Sequence, residues 1–218
     1  MRELRFSRKG AAKGTARGLV VFLHGYGADG ADLLGLADVL APKLPGAVFL
    51  APDAPEPCRG GGFGCQWFPI PRMDGSTQAA ADAGLDASSG DLNAFLDARL
   101  VDEGLPADRL VLVGFSQGAM MSLHVAPRRP QVLAGVVAIS GRLLRPEALA
   151  SETLVKPPVL LIHGDQDPVV PFDSMGMAGD ALVAAGFATY GHVMKGTGHG
   201  IAPDGLGATL QFLKDRLK

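Results

Sequence analysis

Short apolar runs recur along the chain at intervals that suit a sheet buried on both faces. Leu19–Leu23 reads LVVFL with no polar residue, and Ala47–Ala51, Leu110–Val113, Gly135–Ile139 and Val159–Ile162 repeat the pattern. A strand with one wet face alternates polar and apolar side chains. A strand covered by helices on both sides is apolar throughout. Thr189–Met194 is a less regular strand candidate. Between these runs the period changes. Asp91–Leu100 puts Leu92, Phe95, Leu96 and Leu100 on one helical face, and Leu206, Leu210, Leu213 and Leu217 do the same near the C-terminus. Gln117–Ala126 and Met175–Ala185 also fit helices, with Pro127 and Gly186 as stops.

Strand and helix in alternation predict an α/β fold, with a mostly parallel central sheet and helices on both faces. The length suits one core, and neither an internal repeat nor an inter-domain linker stands out. Residues 1–218 are therefore expected to form a single domain without a separate cap domain. One stretch, Pro52–Gly75, breaks the rhythm: it is rich in Pro and Gly and holds Cys58, Cys65 and the only Trp. Irregular segments of that length are usually functional or disordered, and Phe63, Trp67, Phe68 and Ile70 make this one too apolar for a disordered tail.

Composition narrows the function classes. Apolar residues make up 47% of the chain, which excludes disorder and a disulfide-stapled miniprotein. A net charge of -2 with no basic cluster argues against nucleic acid or an anionic membrane as the main partner. No apolar run nears the roughly 18–20 residues that span a bilayer, so stable membrane insertion is not expected. Met1–Gly18 lacks a signal-peptide apolar core, which implies a cytoplasmic location. In that compartment Cys58 and Cys65 read as reduced thiols, with a local disulfide as the alternative. Two cysteines without companion ligands make a poor metal site.

Chemistry enters at Gly114-Phe115-Ser116-Gln117-Gly118, a G-x-S-x-G that follows the strand LVLV and opens a helix. That is the context of a nucleophile elbow, with Ser116 raised above the sheet at a helix N-terminus. The glycines make room where a Cβ would meet neighbouring backbone. A serine hydroxyl needs a base, and in this fold the chain order is Ser, acid, His. Of the five histidines, His199 lies in the Gly-rich loop GTGHGI after the last strand candidate and before the last helix, where the base should be. His24 and His163 end apolar strands and read as structural residues. His124 lies on the elbow's own helix, and His192 within the final strand. The acid should follow PVLLIHG. Asp165 and Asp167 both qualify on position, and Asp173 is a remote third. An oxyanion hole needs two backbone N–H donors. Gln117, after the nucleophile, supplies one. The glycine-flanked turn Leu23-His24-Gly25-Tyr26-Gly27 supplies the other, from Tyr26.

LHGYGADG, LAPDAP, QWF, GFSQGAMMS, HGDQDPVVP and GHGI, in this order and spacing, resemble the phospholipase/carboxylesterase family of small α/β-hydrolases. That family includes bacterial carboxylesterases and acyl-protein thioesterases. The resemblance runs from about Leu19 to the C-terminus. Its H-G-x-x-D-x-V-V-P pattern places the acid on Asp167 and makes Asp165 a neighbour. It also implies oxyanion donors at Tyr26 and Gln117. The chain departs from the family pattern at Tyr26, where Leu is common, and at Trp67-Phe68-Pro69, where W-[FY]-D is usual.

Bare chemistry and resemblance together imply a serine carboxylesterase acting on small-molecule esters of short or medium acyl chain. It needs no metal and no organic cofactor. Phe63, Trp67 and Phe68 are expected to line the acyl pocket as the Pro52–Gly75 segment folds over the site. An acyl-protein thioesterase or a lysophospholipase is the alternative, and a silent binding module the remote one. A homodimer stays open as an assembly state.

Overall fold

A computed structural model describes residues 1–58 and 63–218. In chain order the elements are β1 (Phe6–Gly10), β2 (Gly18–Leu23), α1 (Gly30–Leu34), α2 (Leu36–Leu40), β3 (Ala47–Pro52), β4 (Glu56–Pro57), β5 (Cys65–Gln66), α3 (Pro71–Asp74) and α4 (Gln78–Glu103). There follow β6 (Leu110–Phe115), α5 (Gln117–Val125), β7 (Gly135–Ile139), α6 (Leu149–Glu152), β8 (Val159–Gly164), α7 (Asp173–Ala184), β9 (Thr189–Met194) and α8 (Pro203–Arg216). Seven strands form one sheet in the order β1-β3-β2-β6-β7-β8-β9. Every pairing is parallel except β1 with β3. This is the mostly parallel α/β sheet that the strand pattern predicts and the α/β-hydrolase arrangement that the resemblance implies.

Alternate residues of each central strand feed two cores. Leu19, Val21, Leu23, Leu110 and Leu112 join side chains of α4, α5 and α7 on one face. Val20, Phe22, Val111 and Val113 join those of α1, α2 and α8 on the other. Helices cover both faces, which is why β2 and β6 carry no polar residue. Phe22 and Phe49 stack across β2 and β3 at 5.8 Å. Among the described residues no helix is long and apolar enough to cross a membrane.

The structure adds to the sequence reading in three places. β1, FSRKG, is a charged edge strand whose Arg8 pairs with Glu103 at 2.8 Å and whose Lys9 pairs with Asp38 at 2.7 Å. Charge on an outer strand blunts the open edge, and it hides the strand from a hydrophobicity search. Helix α4 begins at Gln78 rather than at Asp91, capped by the Thr77 hydroxyl and closed by Gly104 in the left-handed region. Its first half is small and polar because it carries a loop. A Cβ on Gly84 would lie 2.6 Å from Pro69, and buried Ser88 donates its hydroxyl to the carbonyl of Trp67. Finally, Pro52–Gly75 is not wholly irregular, because it contains the β4–β5 ribbon and α3. Cys58 and Cys65 are free thiols there.

Candidate active site

The loop between β6 and α5 holds Ser116 in a conformation few side chains adopt, with φ 53° and ψ -115°. Strain of this kind persists only where neighbours fix it. Here the Ser116 N–H donates to Ile139 at 2.8 Å, and the Ser116 carbonyl accepts from Met120 at 3.1 Å. Gly114 and Gly118 are required by contact. A Cβ on Gly114 would lie 2.5 Å from the nitrogen of Ala119, and one on Gly118 would overlap the carbonyl of Leu23. A Cβ on Gly25 would come within 3.3 Å of that of Ser116, so the turn after β2 sits directly against the serine.

His199, from the loop between β9 and α8, spans the gap between the serine and a carboxylate. Its Nε2 lies 3.0 Å from Ser116 Oγ and its Nδ1 lies 2.7 Å from Asp167 Oδ2. Phe115 flanks the ring at 4.9 Å. Asp167, in the loop after β8, is buried, and burial alone would raise its pKa. The hydrogen bond from His199 and the N–H groups of Val170 and Val169 outweigh that and hold it below the ordinary carboxylate range. Those two amides reach Asp167 Oδ1 at 2.9 and 2.8 Å. Of the two aspartates left open on position, Asp167 meets the imidazole. Asp165 turns away: it accepts from Gly196 N–H at 2.7 Å and pairs with Lys195 at 3.6 Å. A hydroxyl placed on a base that a buried carboxylate orients can pass its proton to that base.

Gln117 is the first residue of α5, where helix N–H groups have no intrahelical partner and the dipole favours negative charge. Tyr26 lies in the turn against Ser116. Its phenol has a pKa raised by burial and by its contact with the Cys58 thiol. His24 supports that turn. It accepts from Ala54 N–H on Nε2 at 2.9 Å, so its hydrogen is on Nδ1, which donates to Gly25 at 2.7 Å. Burial lowers its pKa and keeps it neutral.

The pocket expected of the Pro52–Gly75 segment takes a different form. Trp67 has no exposed surface and Phe68 only 6%, whereas Phe63 is 97% exposed. Trp67 donates its indole N–H to the carbonyl of His24 at 3.0 Å and belongs to the core. A side chain so enclosed braces the turn beneath the site and offers no wall to an acyl chain. Phe63 lies beside Arg59, Gly60, Gly61 and Gly62, and those four, including most of the Gly60–Gly64 run, fall outside the described residues. Two site contacts carry no sequence signature. The Gln117 side chain holds the backbone of Trp67 and Phe68, and His163 reaches Asp167.

Residues 10–217 match the phospholipase/carboxylesterase family. The chain is 32% identical to acyl-protein thioesterase 1 of Neurospora crassa, over 91% of this chain and 86% of that protein. It is 31% identical to acyl-protein thioesterase 1 of Saccharomyces cerevisiae, over 93% and 94%. The crystal structure of esterase PE8 superposes with a TM-score of 0.92 at 41% identity, covering 99% of this chain and all of that one (100%). A match over nearly the whole length, on a sheet and elbow of this kind, places the chain in the phospholipase/carboxylesterase family of α/β-hydrolases.

Proposed function

We propose that this protein is a serine carboxylesterase that cleaves short- to medium-chain carboxylic esters through an acyl-enzyme on Ser116. One observation carries the reading: His199 lies within hydrogen-bond reach of Ser116 on one nitrogen and of Asp167 on the other. Ser116 Oγ attacks the ester carbonyl while His199 Nε2 takes its proton. The tetrahedral oxyanion is held by the N–H groups of Tyr26 and Gln117. His199 then returns the proton to the departing alkoxide, leaving an acyl-serine and a free alcohol. Water repeats the sequence against the acyl group and releases the acid. Asp167 keeps the hydrogen of neutral His199 on Nδ1 and steadies the imidazolium that forms. No step calls for a metal or organic cofactor.

The acyl preference follows from where the apolar mass of the loop goes. Trp67 and Phe68 are committed to the core, so neither of them adds a wall for a long chain. The names of the thioesterase relatives favour a second reading, cleavage of thioesters on acylated proteins. The same acyl-serine serves both, because only the leaving atom changes. A hydrolysis panel of oxygen esters and thioesters of graded acyl length tests the choice. The expected result is the highest kcat/KM on short or medium oxygen esters. A preference for long-chain thioesters or lysophospholipids would overturn it.

A further inference from the structure

We propose that His163 is a positioning residue for Asp167, and that its N–H sets how strongly Asp167 supports His199. The proposal rests on the serine-esterase reading above. His163 lies near the end of β8 with its side chain buried, and Phe172 meets its ring edge-on at 6.1 Å. Its Nε2 is 3.0 Å from the carbonyl of Val170 and 3.3 Å from Oδ2 of Asp167. A carbonyl oxygen only accepts, so Nε2 carries the hydrogen; it bonds to Val170, and its positive end lies beside the carboxylate. Oδ2 is also the oxygen that takes the Nδ1–H of His199 at 2.7 Å. The other oxygen is occupied by the amides of Val169 and Val170. Asp167 therefore stands between two imidazoles, of which one touches Ser116 and the other does not.

The positive end of the His163 N–H beside Oδ2 offsets part of the charge that would otherwise draw the His199 proton. It thus trades basicity of the acid for a fixed rotation of its carboxylate. His163 from β8 and His199 from the β9–α8 loop are the titratable side chains that meet Asp167 among the described residues. Ser116 and the Phe115 ring meet His199 from the elbow. The nearby Asp165 is turned to Gly196 and Lys195.

His163→Phe keeps the ring and removes the N–H. The rising limb of kcat/KM against pH is then expected to move up by about half a pH unit, because Oδ2 regains charge and favours protonated His199. His163→Gln restores an N–H donor and is expected to bring the limb back toward wild type. An active His163→Phe enzyme whose limb does not move overturns the proposal, whatever its Tm. Should that variant not fold, imidazole 15N NMR of the unaltered protein answers the same question. The His163 Nε2–H signal is expected to shift as His199 titrates. A signal indifferent to that titration, or a hydrogen on Nδ1, overturns the proposal. Failure of the wild-type protein to hydrolyse any ester strikes the parent reading instead, and the NMR arm still decides the contact.

Discussion

Gln117 and Trp67 are tied together across the site: the side-chain oxygen of Gln117 accepts the backbone N–H of Trp67 at 2.8 Å. The Gln117 amide nitrogen donates to the next carbonyl, that of Phe68, at 2.7 Å. The residue after Ser116 therefore anchors the Pro/Gly-rich excursion to the start of α5. The indole N–H of Trp67, on the carbonyl of His24, anchors the same excursion to the turn bearing Tyr26. Both proposed oxyanion donors thus share one brace.

Trp67→Ala empties a fully buried site and is expected to lower stability by about 3–5 kcal/mol. It should also loosen both turns at once. The expected kinetic result is a fall in kcat/KM of similar factor for acetate and for longer acyl esters. Thermal unfolding and an acyl-length series check both parts. A loss that grows steadily with chain length would return Trp67 to the acyl pocket.

The two aspartates are expected to separate sharply. Asp167→Asn removes the acceptor that holds the His199 hydrogen on Nδ1, and kcat should fall about a thousandfold or more. Asp165→Asn weakens a tether to the Gly196 N–H, at one remove from the imidazole. Its expected effect on kcat is less than about tenfold, with some loss of Tm from the loosened loop. Steady-state kinetics on the two purified variants makes the comparison. The opposite ranking would move the acid to Asp165.

The elbow should not tolerate a methyl group. A Cβ on Gly118 would also lie 2.7 Å from the carbonyl of His24, so Gly118→Ala must push the β2 turn away from α5. The expected outcome is loss of activity together with destabilisation of several kcal/mol, or failure to fold. A Gly118→Ala protein with wild-type Tm and activity would contradict the geometry.

Much of this was legible in the sequence because the strands are apolar on both faces. The runs at Leu19–Leu23 and Val159–Ile162 locate the sheet, and Ser116, Asp167 and His199 follow three of its strands. β1 and the first half of α4 were not legible, and for related reasons. Phe6–Gly10 is an edge strand with charged partners, and Gln78–Gly90 has small polar residues where it supports the loop beneath Trp67. Neither has an apolar stripe to find. Trp67 and Phe68 show a different limit of the sequence. An aromatic in an irregular loop looks the same in sequence whether it lines a pocket or fills a core. Only the contacts to His24 and Gln117 distinguish the two.

His124 should make stability depend on pH. It lies on α5, where burial, helped by Arg128 and Arg145, lowers its pKa to about 4 from 6.5. The native state therefore binds fewer protons than the unfolded chain between those values. Stability is full above the unfolded pKa and falls as pH drops from 6.5 toward about 4. Denaturant titrations across that window are expected to show the decline in wild type and a flatter profile in His124→Gln. Equal slopes for the two proteins would mean that His124 is charged, or freely solvated, in the folded state.

Covalent capture tests whether Ser116 carries the acyl group. The protein is treated with a fluorophosphonate, digested, and the adduct located by mass spectrometry. One phosphonyl adduct per chain is expected, on the peptide containing Ser116, with parallel loss of ester hydrolysis. A folded Ser116→Ala protein is expected to show neither labelling nor hydrolysis. An adduct at another residue, or ester hydrolysis persisting in Ser116→Ala, would contradict an acyl group carried on Ser116.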